Sequence, residues 1–480
     1  MPEPSLLTID IGTSSLKSAL WDTDGNRLSF AADALSVINL EDKHEAEPSR
    51  WLRAFETCHG KLLSGGQIKN LASVEVIIIS GNGPSLVPVF DEPVFLDNGI
   101  NVPAEKARLW LDRRAVRYQE EVSRLMGGFV DAGFFLPKIL SIKNDENDLY
   151  KKTKYFLGCP EYLAYALTGN ACSVFPCDGF ERWFWDNDVL DKLDLDAGKF
   201  PAFIRPGEPF GTILAKAAAR YGFSKNIPVV SGGPDFFAAI LGSGVTEIGQ
   251  ACDRTGSSEG INLCTQNRIL DNRLMSYGHP IKPYWNLSGI INTTGKAIDW
   301  ACDLLGLGGF DDFIALAQES KRGSGGLVFL PYLAGERAPV WNPSVTAVWN
   351  GINISSGRRE FANSILEGIG FAIKDVLSAM EETGVKAKQL RVTGRLAGCS
   401  YLNQIKADIT GIEVIEGAYK ETELLGLAII GGCFLGKFAS LADASSALYR
   451  IKRTFKPDLS NADLYNNLFY EYKNIRNKQL

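Results

Sequence analysis

Short apolar runs that end in Gly, Thr or Ser alternate along this chain with longer stretches of helical spacing. Residues 6–9 form a strand-like run, Gly12-Thr13-Ser14-Ser15 a tight turn, and residues 16–21 a second strand. Asp24-Gly25 supplies a hairpin signal. "VEVIIISGNG" is another strand run closing in a glycine turn. "PAEKARLWLDRRAVRYQEEVSRLM" has helical spacing, and Pro103 would open that helix. A strand over 227–230 stops at Ser231-Gly232-Gly233, and Asp235 follows Pro234 at the head of an apolar helix, "DFFAAILG". "GQACDRTGSSEGINLCT" is again strand, hydroxyl turn, strand. "QLRVTGRLAG" ends one more strand in glycine. "LLGLAIIGGCFLG", from Leu424, reads as a buried helix, because spanning a bilayer takes about 20 residues.

Strands interleaved with helices predict an α/β fold. The pattern also repeats. Asp10-x-Gly12-Thr13-Ser14 is echoed by Asp253-x-Thr255-Gly256-Ser257-Ser258. Two similar α/β lobes are expected, residues 1–247 and 248–480.

Composition narrows the function classes. The chain has 480 residues, 45% of them apolar and 22% charged, with a net charge of -6 and both signs interspersed. No basic block suggests nucleic acid as a partner. The start, "MPEPSLLTID", lacks the basic and apolar regions of a signal peptide. Nine cysteines are scattered singly without metal-type spacing, which fits a reduced, cytoplasmic location. With three histidines only, carboxylates and hydroxyls are the expected workers.

A Gly/Thr/Ser turn between strands exposes backbone N–H groups and hydroxyls, a cradle for phosphate oxygens. Asp10, at the end of the first strand, cannot sit against phosphate without a cation between them. It therefore suggests Mg²⁺, held through water, with Lys17 adding positive charge nearby. "GIINTTGKAI" resembles a P-loop, but its glycine spacing is one residue too long and Ala297 replaces the metal-binding hydroxyl. "GNGPSL" starts like a dinucleotide fingerprint and lacks the last glycine.

Together these segments resemble the FGGY carbohydrate kinases, relatives of xylulokinase, gluconokinase and glycerol kinase, over nearly the whole chain. "DIGTSSLKSAL" is similar to that family's first phosphate motif and "TGSSEGI" to its second. Trp110 to Arg114, "WLDRR", resembles its W-x-D-x-R element, and "GPDFFAAILGSG" the segment with the catalytic Asp. "GLVFLPYLAGERAPVWNP" and the spacing from Ala347 to Glu367 match its C-terminal signature.

The resemblance implies two RNase H-like domains of the actin-type ATPase class, with a central cleft that closes on substrate. It implies Mg-ATP as donor and a sugar, sugar acid or polyol as acceptor, with a homodimer unsurprising. Asp235 is then the general base, and Asp10 and Asp235 face the metal. Gly12, Thr13, Ser14, Lys17, Gly256, Ser257 and Ser258 line the phosphates. Gly295, Gly394, Ala397 and Asn403 lie toward the adenosine. Trp110, Asp112 and Arg114 suggest the acceptor pocket, or a packing pair on one helix face. Asn82 meets a sugar hydroxyl or closes its own turn. Trp183, Phe184 and Trp185 read as core packing or a subunit contact.

Two departures stand out. Gly81-Asn82-Gly83-Pro84-Ser85 replaces the Gly-Gln-Met-His-Gly of pentulose kinases, and Gly394-Arg395-Leu396-Ala397 replaces Gly-Gly-Gly-Ala. A ketopentose such as xylulose is the default acceptor, with gluconate, another ketose or a polyol as alternatives. A nucleotide-gated binding protein without catalysis is the alternative of another class.

Overall fold

In the computed structural model, which describes residues 5–64, 68, 71–97 and 99–480, strand β1 (Leu6–Ile11) is buried at every position. A mainly apolar LLTIDI run suits a strand covered on both faces, with Thr8 and Asp10 its two buried polar residues. β2 (Ser15–Trp21) and β3 (Arg27–Ala34) continue from it as an antiparallel meander. β4 (Val76–Gly81) pairs parallel with β1 on the other side. β5 (Pro209–Thr212) is the antiparallel edge beside β6 (Pro228–Pro234), which runs parallel to β4. The sheet order is β5-β6-β4-β1-β2-β3.

A second sheet repeats this plan. β7 (Gln250–Thr255) and β8 (Glu259–Thr265) are antiparallel neighbours. β9 (Met275–Gly278) and β10 (Trp285–Ile291) extend that side. β11 (Gln389–Gly394) pairs parallel with β7, then β12 (Glu413–Gly417) with β11, and β13 (Ile451–Phe455) closes the edge. The order is β9-β10-β8-β7-β11-β12-β13. Three antiparallel strands followed by two parallel ones occur in both sheets, the RNase H-like arrangement of actin-type ATPases.

The chain divides into two compact units, Met1–Gly242 with Glu423–Leu448, and Ser243–Thr422 with Tyr449–Leu480. Residues 423–448, expected in the second lobe, thus belong with the first. The helix Thr422–Phe434 is apolar on nearly all sides and sinks into the first unit's core. A Cβ on Gly426 would come within 1.9 Å of the Ala238 carbonyl oxygen, and one on Gly431 within 2.4 Å of Leu6. Only bare backbone permits that approach.

The helix expected from Pro103 onward forms only at its far end, Gln119–Leu125. Leu86 and Arg108 exchange backbone hydrogen bonds, and Ala107–Arg108 pairs with the strand Lys43–Ala46. The segment gains sheet partners that local helical spacing could not foresee. Trp110, Asp112 and Arg114 consequently sit in a turn and not on a helix face. Trp185 packs its ring 5.1 Å from Phe203 and 5.2 Å from Phe200, so that aromatic group is internal packing. All nine cysteines are free. Among the described residues no helix is long and apolar enough to cross a membrane.

Candidate active site

In the first unit the candidates gather at the C-terminal ends of β1, β4 and β6. The turn after β1 is closed by Gly12 N–H donating to the Ser15 carbonyl at 2.9 Å, and tied down by Leu35 N–H donating to Ser14 at 2.8 Å. Ser14 is left exposed, and Gly12 and Thr13 half-buried, so the turn presents its polar groups outward. Asp10 lies two residues before it, opposite Lys17 on β2 and opposite Ser80 on β4. The Ser80 hydroxyl donates to Asp10 Oδ1 at 2.8 Å.

Asp10 is 3% exposed, and its carboxyl is pushed up to about 7. Burial is the largest cause; Glu423 and Asp235 add negative charge, while Lys17 and Ser80 pull the other way. Asp235 is the first residue of the helix Asp235–Gly242, directly after β6. Gly233 makes the turn possible, with φ at +74°. Phe236 stacks on Phe180 at 5.6 Å and fixes the head of that helix.

Glu423 was not singled out from the sequence. It lies in the first turn of the helix Thr422–Phe434, and its Oε2 is buried without a hydrogen-bond partner. Gly426 and Leu427, three and four residues on, share its face and pack against Ala238 and Gly232. The readable signal was an acid heading an apolar helix, as in "DFFAAILG". Among the described residues no three His, Cys, Asp or Glu side chains form a ready metal cage. Three acids offset by one lysine nevertheless suit a cation. An ion such as Mg²⁺, which takes one or two carboxylates and fills its shell with water and phosphate, could be held there by Asp10 and Asp235.

Trp110 reaches this turn, donating its indole N–H to Thr13 Oγ1 at 3.2 Å. Asp112 is fully buried and committed internally. It accepts from Arg114 Nη2 at 2.8 Å and from His44 N–H at 3.0 Å. Burial alone would raise its carboxyl, but these donors hold it below its ordinary range. Arg114 also pairs with Glu45 at 2.8 Å. Asn82 closes its own turn: its amide donates to the Ile11 carbonyl at 2.9 Å, and Ser85 donates to its oxygen at 2.5 Å. Lys138, also without exposure, donates to the Pro84 carbonyl at 2.8 Å and the Arg108 carbonyl at 3.2 Å, joining the two loops. Trp110 is therefore the member of this group placed at the turn, while Asp112, Arg114 and Asn82 brace it.

In the second unit the turn Gly256-Ser257-Ser258 follows β7. Gly256 N–H donates to Ser258 at 2.9 Å, and Ser257 is exposed. The helix Gly295–Leu304 presses on it from one side: Gly295 N–H donates to the Gly256 carbonyl at 3.1 Å. A Cβ on Gly295 would lie 2.2 Å from that oxygen. Gly394 presses from the other side, with a Cβ position 2.2 Å from the Thr255 carbonyl. Ala397 and Asn403 are buried, and Asn403 Nδ2 donates to the Ala397 carbonyl at 2.8 Å, so they support this loop from behind. Leu396 is buried and Arg395 points out, so the altered glycine motif fits without crowding the turn.

The expected echo of Asp10 by Asp253 does not hold in three dimensions. Counting back two residues from Gly256 gives Arg254, and side chains alternate faces along a strand. Asp253 instead lies in the core with Lys406 Nζ at 2.7 Å, and the same ammonium meets Glu259 at 2.5 Å.

Residues 5–242 match the N-terminal domain of the FGGY family of carbohydrate kinases, and residues 255–434 its C-terminal domain. The chain is 27% identical to the xylulose kinase of Staphylococcus epidermidis, over 100% of this chain and 98% of that protein. Its fold superposes on a gluconate kinase from Lactobacillus acidophilus with a TM-score of 0.85, at 21% identity over 98% of this chain and 97% of that one. A ligand-bound xylulose kinase from Lactobacillus acidophilus gives a TM-score of 0.84, at 21% identity over 98% of both chains.

Proposed function

The chain belongs to the FGGY family of carbohydrate kinases and is a phosphotransferase acting on a small sugar, and from that premise we propose that it transfers the γ-phosphate of Mg-ATP to a hydroxyl of a ketopentose such as xylulose, with Asp235 as general base. The observation that carries this reading is the placement of Asp10 and Asp235 at the C-terminal ends of β1 and β6, two strands of one sheet with β4 between them, where the charge of Asp235 contributes to raising the Asp10 carboxyl.

Asp235 accepts the proton of the acceptor hydroxyl and aims its oxygen at the γ-phosphorus. A bond forms from that oxygen to phosphorus, the bond from phosphorus to the β,γ-bridging oxygen breaks, and ADP leaves. Because the transition state is loose, orientation matters more than basicity. The N-terminus of its helix stabilises negative charge on Asp235. Thr13, Ser14 and the turn amides hold phosphate oxygens, and Lys17 supplies positive charge. Asp10 and Asp235 would hold Mg²⁺. The ion, when bound, neutralises charge developing on the transferring group. The Gly256–Ser258 turn, between Gly295 and Gly394, is the nucleotide cradle of the second unit. Trp110 offers an apolar face to the sugar.

The test is ADP release from Mg-ATP across D-xylulose, other ketoses, gluconate and glycerol, with the phosphorylated product identified by mass. D-xylulose should give the highest kcat/KM. A different best acceptor corrects the substrate, a point left open by the missing Met-His pair in the Gly81–Ser85 loop. ATP binding without any phosphorylated product favours the non-catalytic alternative.

A further inference from the structure

Beside the second turn lies a charged pair that the reaction above does not use. Arg395 donates its backbone N–H to the Thr255 carbonyl at 3.0 Å, so its side chain starts next to the Gly256–Ser258 turn. That side chain crosses to the helix Gly295–Leu304 and meets Asp299 with two hydrogen bonds, 2.7 Å and 2.5 Å. Asp299 lies one helical turn beyond Gly295 on the same face. Gly295 and Gly394 flank the turn, and one guanidinium–carboxylate fork joins the two elements that carry them.

The pair is poorly explained as a structural brace. Both side chains are about half exposed, 47% and 50%, and surface ion pairs of this kind add little stability. Leu396 anchors the loop, buried in the core, with its N–H donating to Thr255 Oγ1 at 2.9 Å. A planar cation held flat by a bidentate carboxylate at an open edge is suited to stacking on an aromatic ring.

We propose that Arg395, oriented by Asp299, lays its guanidinium plane against the purine base of the nucleotide whose phosphates occupy the Gly256–Ser258 turn. This assignment rests on the kinase reading above. It makes Arg395 a specificity-determining residue and Asp299 the positioning residue behind it. The arginine that breaks the glycine pattern of the adenosine motif thereby replaces a close backbone approach with a side-chain platform.

The test is calorimetric titration of the full chain with ADP and, separately, with inorganic tripolyphosphate, which has phosphates and no base. Arg395→Ala should weaken ADP binding roughly tenfold, the scale of one lost base stack. Its tripolyphosphate affinity and melting temperature should match wild type. Arg395→Lys, which keeps the charge and loses the plane, should resemble Arg395→Ala. Asp299→Asn should weaken ADP less, and should have no further effect once Arg395 is Ala. ADP affinity of Arg395→Ala within twofold of wild type overturns the proposal, as does an equal loss for ADP and tripolyphosphate. Wild-type protein that binds neither ligand defeats the kinase reading and this proposal together. Wild-type protein that phosphorylates a sugar while Arg395→Ala binds ADP equally well defeats this proposal alone.

Discussion

Trp110 donates its indole N–H to the hydroxyl of Thr13 at 3.2 Å, so one hydrogen bond ties the loop that carries Trp110 to the Gly12–Ser15 turn of the same unit. Trp110→Phe keeps an aromatic face and removes that bond. Losing about 1 kcal/mol of positioning, it should lower kcat/KM about fivefold for both ATP and acceptor. Steady-state kinetics with each substrate varied checks this. A change confined to the acceptor would mean that the ring, and not the tie, matters.

Gly394 has φ at +86°, and a Cβ there meets the Thr255 carbonyl at 2.2 Å. Gly394→Ala should therefore shift the loop beside the second turn, costing at least about 1–2 kcal/mol in backbone strain alone. A lowered melting temperature together with weakened ADP binding is the expected pair of results, read by calorimetry.

Lys406, Asp253 and Glu259 have no exposure, and the triad sits directly behind the second turn. Burial and Asp253 push the Glu259 carboxyl well above its usual range, while Lys406 counters them. Lys406→Met strands the acids in the core and should cost about 3–5 kcal/mol in urea denaturation. Adding Asp253→Asn and Glu259→Gln should recover most of that loss.

Glu161 accepts the Val174 N–H at 3.1 Å, while its Oε2 is buried without a partner. Burial pushes its carboxyl from 4.5 up to about 7. The folded value lies above the unfolded one, so its favourable contribution is complete below pH 4.5 and lost as pH rises through about 7. The loss is about 3 kcal/mol by pH 8. Glu161→Gln keeps the acceptor for Val174 and needs no proton. It should be more stable than wild type at pH 8 and equal to it near pH 4, as seen in denaturation midpoints across that range.

Much of this architecture is legible in the chain because its cues are local. "LLTIDIGTSS" and "QACDRTGSSE" both read as strand and hydroxyl turn, and both fold so. The place of Asp235 at the head of its helix is legible because Pro234 and the glycines before it end the strand and an acid is favoured in a first helical turn. What was not legible depends on distant partners. The segment after Pro103 has helical spacing, yet Leu86 and the strand Lys43–Ala46 draw it into extended pairing. Glu423 joins Asp10 only because glycines at 426 and 431 let its helix return to the first unit. Asp253 looked like a second Asp10 until strand alternation turned it into the core, where Lys406 neutralises it. Asn82 and Asp112 read as polar candidates in their loops, but their hydrogen bonds are spent on holding those loops.

The central claim is that Asp235 takes the acceptor's proton during phosphoryl transfer from Mg-ATP. The most direct measurement is single-turnover formation of sugar phosphate by wild type and Asp235→Asn, with ATP and acceptor both saturating. Asparagine keeps the size and a hydrogen bond but accepts no proton, so at saturating Mg-ATP and acceptor the rate should fall by at least about 100-fold. An Asp235→Asn protein that forms sugar phosphate at the wild-type rate would contradict the account.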